Sequence, residues 1–137
     1  MEKESTPKLV LRWILAIAMI GVGALHFINP GFFKNIMPDY IPWHDELVFI
    51  SGVFEILGGS GLLVPLTKKA AAWGLIALYI CVFPANINHA VNQVPNLDGS
   101  TMHPAILWGR LPIQAVLILW AWWYTRSPQE TSSKEDQ

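Results

Sequence analysis

The sequence predicts an all-α fold, an antiparallel bundle of four membrane-spanning helices, on three observations. Of 137 residues, 53% are hydrophobic and only 14% are charged, too apolar a balance for an ordinary soluble domain and too short a chain for two domains. Four hydrophobic stretches, at about 9–28, 47–66, 70–88 and 106–124, each approach the ~20 residues a helix needs to cross a bilayer. Open strands cannot satisfy their backbone in lipid, so these stretches cross as helices.

In the first stretch Lys3, Lys8 and Arg12 precede an apolar core that contains Gly21, Gly23 and Ala24, which invites comparison with a signal peptide. Its apolar run is long for one and ends without a small-x-small cleavage site, so it is expected to remain as a helix. The second stretch holds twelve Leu, Ile, Val or Phe residues. At roughly 0.3 to 0.6 kcal/mol each they favour insertion by about 4 to 7 kcal/mol, which outweighs the roughly 2.5 to 3.5 kcal/mol cost of one acid, Glu55, near its middle. The third and fourth stretches contain Pro84 and Pro112. Neighbouring groups can re-satisfy the carbonyl that a proline frees, so both read as kinked helices and not as breaks.

The connections fix the topology. Thr67, Lys68 and Lys69 leave only a tight turn between the second and third helices, which must be antiparallel neighbours. Between the first and second, Pro30, Pro38 and Pro42 bracket Phe32, Phe33, Ile36 and Met37 at helical spacing, the pattern of a short helix lying in the interface. Pro95, Asp98, Gly99 and Pro104 make the third connection a loop. Residues 1–126 thus form one domain, and 127–137 are expected to be a solvated, disordered tail.

Basic residues orient the bundle. Lys3, Lys8, Arg12, Lys68, Lys69, Arg126 and Lys134 fall on one side, and only Lys34 and Arg110 on the other. Both termini are therefore expected in the cytoplasm, with Trp120, Trp122, Trp123 and Tyr124 at the inner headgroup level. The net charge of −1 provides no basic field for nucleic acid.

Small residues mark packing faces. Ser51, Gly52, Gly58, Gly59 and Gly61 allow close backbone approach to the second helix, and Ala70, Gly74, Ala77, Cys81 and Asn88 repeat along one face of the third. Cys81, the single cysteine, is read as a buried packing residue and rules out an internal dithiol cycle. Gly21-Val-Gly23 and Gly59-Ser60-Gly61 lie inside helices and lack the following glycine of a nucleotide loop.

Polar residues collect in the outer half. Glu55 shares a helix face with Ser51 and Gly58, so it faces other helices and not lipid. Both Glu55 and Gln114 lie about 12 Å below the outer ends of their helices at about 1.5 Å per residue. Arg110, one turn above Gln114, is the cation expected to reach Glu55. His26, Asn86 and His89 stand near the outer ends of the first and third helices, with Tyr79 deeper on the face of Asn86. Two readings stay open. One is a site for a small ligand or a proton, with Glu55 as acceptor or titrating group and Arg110 and the histidines as donors. The other is a structural Glu55 to Arg110 pair, with Asn86 and Gln114 serving backbone freed by the prolines. His26, His44, His89 and His103 lack ligand spacing within one helix, so no metal site is expected. His44, Asp45 and Glu46 are expected to cap the second helix.

Four strings in order, His26-Phe27 with Asn29-Pro30, Ser51-Gly52 with Glu55 and Gly58-Gly59, Phe83-Pro84-Ala85-Asn86, and Arg110-Leu111-Pro112 with Gln114, resemble the small four-helix membrane proteins of the DoxX family. The resemblance covers about residues 26–120. It implies a bundle in the bacterial plasma membrane and, for some members, a link to quinone-coupled sulfur oxidation or membrane redox assemblies. On that basis the chain is expected to be a redox-associated accessory, not an enzyme on its own, that takes a quinone or similar ligand in its outer half beside a redox-enzyme partner. The alternative is a non-catalytic subunit or small-solute permease, for which so short a chain needs a homo-oligomer or partner to enclose a path.

Overall fold

A computed structural model describes residues 3–126; the expected tail at 127–137 lies outside the described residues. The chain forms α1 (Thr6–Ile28), α2 (Pro30–Ile36), α3 (His44–Leu63), α4 (Lys68–Asn92) and α5 (Pro104–Trp123). The four long helices are each long and apolar enough to cross a membrane, and α2 is the short helix expected between the first two. Their outward faces carry Ile17, Phe54, Leu57, Ile80, Ile113 and Leu119, all well exposed, as lipid-facing surfaces do. These are the features of a membrane protein.

Cross-helix contacts establish the antiparallel order. Gly52 of α3 sits against His26 and Gly23 of α1, while seven residues on Gly59 sits against Ala16. The sequence numbers rise on one helix as they fall on the other. A Cβ added at Gly59 would stand 2.8 Å from the Ala16 carbonyl oxygen, and one at Gly52 2.8 Å from the His26 Cβ. Glycine is thus required for the backbones to approach this closely. Gly58 and Gly61 likewise receive Leu75 and Ala71 of α4. The helices pack in the sequence α1, α3, α4, α5, and α1 and α5 do not come into close backbone contact.

The stripe predicted on α4 faces the other way. Ala70, Gly74, Ala77 and Cys81 are exposed, and nothing lies within 4 Å of a Cβ placed at Gly74. The larger side chains Leu75, Ile76 and Tyr79 are the ones that enter the core. In lipid neither face meets water, so packing decides, and Leu75, Ile76 and Tyr79 make more contacts between the helices than glycine or alanine would.

The two ends of the bundle differ in packing. At the end that holds the chain termini, Leu15, Ala16, Met19, Leu62, Ala72, Leu75, Ala121 and Tyr124 form the core. Arg12, predicted only as an orienting charge, is buried there. It pairs with Glu4 at 2.9 Å and donates to the Leu62 carbonyl, one of the unpaired acceptors at the end of α3. Lys68 approaches the same carboxylate at 3.7 Å. Tyr124 donates to the Lys8 carbonyl at 3.0 Å and accepts from the Trp120 indole at 3.3 Å.

At the opposite end, α2 lies over the bundle against α1, α3 and α4. Asn88 of α4 donates to the Ile36 carbonyl at 2.9 Å, Asn35 donates to the Pro95 carbonyl, and Leu97 packs over Gly31. The predicted capping of α3 by His44 is not made. Its cap residue is Trp43, in the left-handed region at φ 56°, and the His44 ring instead bonds the Pro38 carbonyl. Asp45 and Glu46 do occupy the first turn, where acids complement the helix dipole, and Asp45 pairs with Lys34 at 2.7 Å.

Candidate functional site

A cavity of about 350 Å3 occupies the α2 end of the bundle, large enough for a small organic molecule. Met19, Val22 and His26 of α1 line it together with Val48, Ser51 and Glu55 of α3. Leu78, Val82 and Asn86 of α4 and Arg110, Ile113 and Gln114 of α5 form the opposite wall, and Phe33, Ile36 and Met37 close the top. The walls are mostly apolar. Its position follows from the packing, because α3 and α4 are tied by a tight turn and glycine contacts at the termini end, while α2 and its flanking loop cover the other end.

Five of the six predicted site residues line this cavity, His26, Glu55, Asn86, Arg110 and Gln114. The sixth, His89, is buried behind Arg110. They divide into two groups.

The first group is a polar network between α4 and α5, in which His89 Nε2 is buried without a hydrogen-bond partner among the described residues. Arg110 donates to His89 Nδ1 and to Asn86 Oδ1, each at 2.9 Å. Because a guanidinium only donates, Nδ1 must accept, and the His89 ring is neutral with its proton on Nε2. Asn86 donates to Gln114 Oε1, and the Gln114 amide donates to the Tyr79 carbonyl. Pro84 removes the donor that would meet the Ile80 carbonyl. Gln114 therefore supplies a hydrogen bond in the interrupted turn, though at the residue before Ile80. Asn86, expected to serve freed backbone, serves Arg110 and Gln114 instead.

The second group is Glu55 with His26. Contrary to the predicted pair, Arg110 makes no ion pair with Glu55; both of its terminal nitrogens are held by α4. The carboxylate's nearest ionisable partner is His26, whose Nδ1 lies 3.4 Å from Oε2. That same Nδ1 donates to the Val22 carbonyl at 2.9 Å, so its proton is already taken. The His26 ring stacks on Phe33 at 3.8 Å and an interplanar angle of 14°, which fixes its orientation. The Glu55 side chain is only 9% exposed, lines the cavity, and has no hydrogen bond within the protein among the described residues. Arg110 was the nearest cation by sequence depth, but it turns toward α4 because Asn86 and His89 sit one turn apart on the helix packed against it.

The sequence did not single out Phe33 as the platform for His26, or Met19, which accepts from the Tyr79 hydroxyl. Helical spacing in the 29–46 connection was the signal that could have placed Phe33. Cys81, expected to be buried, is exposed and lies at the cavity wall. Among the described residues, no three His, Cys, Asp or Glu side chains group as metal ligands.

The geometry can accommodate a mostly apolar molecule with one polar end. Glu55 would accept from that end when ionised and donate to it when protonated, while the α4–α5 network holds the facing wall in place.

No curated protein and no solved structure matches the chain. Residues 15–125 match the family described as Domain of unknown function (DUF8561). The match runs from the core residue Leu15 to Thr125 and includes every wall of the cavity. The protein belongs to the DUF8561 family.

Proposed function

We propose that the protein is a membrane-embedded binder of a small lipid-soluble molecule, a quinone or a ligand of similar shape, held in the α2-end cavity by Glu55. One observation carries this reading. A carboxylate that is nine-tenths buried and without a hydrogen bond among the described residues lines a cavity that is otherwise mainly apolar. Leaving such a group unpaired costs free energy, which a bound polar group recovers. A quinone suits the shape and chemistry, because protonated Glu55 donates to a carbonyl and ionised Glu55 accepts from the hydroxyl of the reduced form.

The DoxX-like strings support placing the protein in a bacterial plasma membrane beside a redox enzyme, as an accessory without chemistry of its own. The distribution of Lys and Arg supports cytoplasmic termini, which puts the cavity in the outer half of the bilayer. Binding of a short-chain ubiquinone to the protein in lipid nanodiscs tests the proposal. Glu55→Gln should weaken it on the order of tenfold, as loss of a charged hydrogen bond does. Ser51→Leu, which fills the cavity, should abolish it. Binding unchanged in both variants sinks the reading.

A second reading has its own observation. Arg110, His89, Asn86 and Gln114 are bonded to one another through all but the buried His89 Nε2, as expected for a non-catalytic subunit whose polar cluster orders the helices. In that case no lipid-soluble ligand would bind, and neither Glu55→Gln nor Ser51→Leu would alter association with a partner.

A further inference from the structure

We propose that a groove between α1 and α5 at the termini end holds one anionic phospholipid, with its phosphate between Lys8 and Arg126 and an acyl chain along Leu11, Val116 and Leu119. The groove has a volume of about 470 Å3 and is lined by Leu11 of α1 and by α5 from Val116 to Trp123, with Arg126 at its end. It exists because α1 and α5 are the neighbours that do not pack backbone to backbone. The Tyr124 hydroxyl, bonded to the Lys8 carbonyl at 3.0 Å, crosses the seam at its base.

Length and charge both select a lipid. From Val116 to Trp123 α5 advances seven residues, about 10 Å at the helical rise, which lies within one half of a hydrocarbon core of about 30 Å. The groove is thus short enough to be covered by part of one acyl chain of a single leaflet. At the headgroup end two cations each lie over the indole of one of two consecutive tryptophans. Lys8 Nζ stands 5.2 Å from the Trp123 ring centroid, and the Arg126 guanidinium stands 4.0 Å from that of Trp122. Those contacts orient the cations and leave donors for a phosphate. Glu4, the acid at this end among the described residues, is already held by Arg12 and Lys68. Among the described residues neither Lys8 nor Arg126 forms an ion pair, and a phosphate is the complementary group. Tryptophan rings at headgroup level are suited to this depth. The site is separate from the cavity at the α2 end and does not depend on what binds there.

The test is a titration of the delipidated full-length protein in detergent, followed by native mass spectrometry, with phosphatidylglycerol and phosphatidylcholine of identical chains. The first lipid bound should be phosphatidylglycerol, favoured at least tenfold. Each charge removed should weaken it about fivefold, so Lys8→Gln with Arg126→Gln should erase most of the preference. Lys3→Gln with Lys69→Gln removes the same charge away from the groove and should change it less than twofold. Val116→Trp, which blocks the chain slot without altering charge, should also displace the lipid while circular dichroism shows unchanged helicity. Equal binding of the two lipids by the wild type overturns the proposal. So does an equal loss from the Lys3 and Lys69 pair, or retained phosphatidylglycerol in Val116→Trp.

Discussion

Arg12 and Glu55 are both charged residues buried within apolar helices, yet the bundle treats them oppositely. At the termini end, Arg12 is held by Glu4 and the Leu62 carbonyl, and large side chains fill the space around it. At the α2 end, Glu55 faces a cavity and has only a 3.4 Å approach from a histidine whose proton is given elsewhere. The first arrangement is what a structural charge requires. The second leaves a group available to something outside the chain.

Removing each charge in turn should produce the largest contrast between the two ends. Arg12→Ala strands Glu4 and a helix-end carbonyl, and breaking such a buried pair should cost about 3 to 5 kcal/mol, read from unfolding in mixed detergent. Glu55→Gln should change stability by less than about 1 kcal/mol, because no partner is left behind. If the two variants lose stability equally, the two ends do not differ in the way described.

Packing should show the next largest effect. Gly59→Val places a side chain against the Ala16 carbonyl and should cost about 1 to 3 kcal/mol by overpacking the α1–α3 contact, measured by the same unfolding transition. Gly74→Ala meets open space and should be neutral or stabilising by up to about 1 kcal/mol through helix propensity.

A double-mutant cycle then separates the two polar groups of the cavity. Arg110→Gln combined with His89→Leu should show a coupling of about 0.5 to 3 kcal/mol, as for residues in one network, while Arg110→Gln combined with Glu55→Gln should be additive within about 0.5 kcal/mol. Strong coupling between Arg110 and Glu55 would restore the ion pair that the geometry lacks.

Much of this could be read along the chain. The four long helices, the short helix between the first two and the tight turn at Thr67 followed from hydrophobic run length and from proline and lysine placement. Clustering of His26, Glu55, Asn86, Arg110 and Gln114 at one depth followed from counting residues along antiparallel helices. Partner choice did not follow, because depth gives a height along the bundle but not a direction around it. Arg110 lay within reach of both Glu55 and α4, and only the rotation of α5 sent it to His89 and Asn86. The α4 stripe failed for a related reason. Periodicity identifies that two faces differ, but small and large faces can both serve as contacts, and the packed volume of Leu75, Ile76 and Tyr79 decided between them.

The class of molecule, its antiparallel helices and the clustering of His26, Glu55, Asn86, Arg110 and Gln114 at one end were written in the order of residues, since these depend on local hydrophobicity and on the fixed rise of a helix. The tertiary structure alone decided that Arg12 is satisfied and Glu55 is not, that a cavity lies beside the latter, and that α1 and α5 stand apart. Those outcomes depend on the azimuth at which each helix meets its neighbours, which is set by side-chain volumes summed over all four helices and not by any one of them.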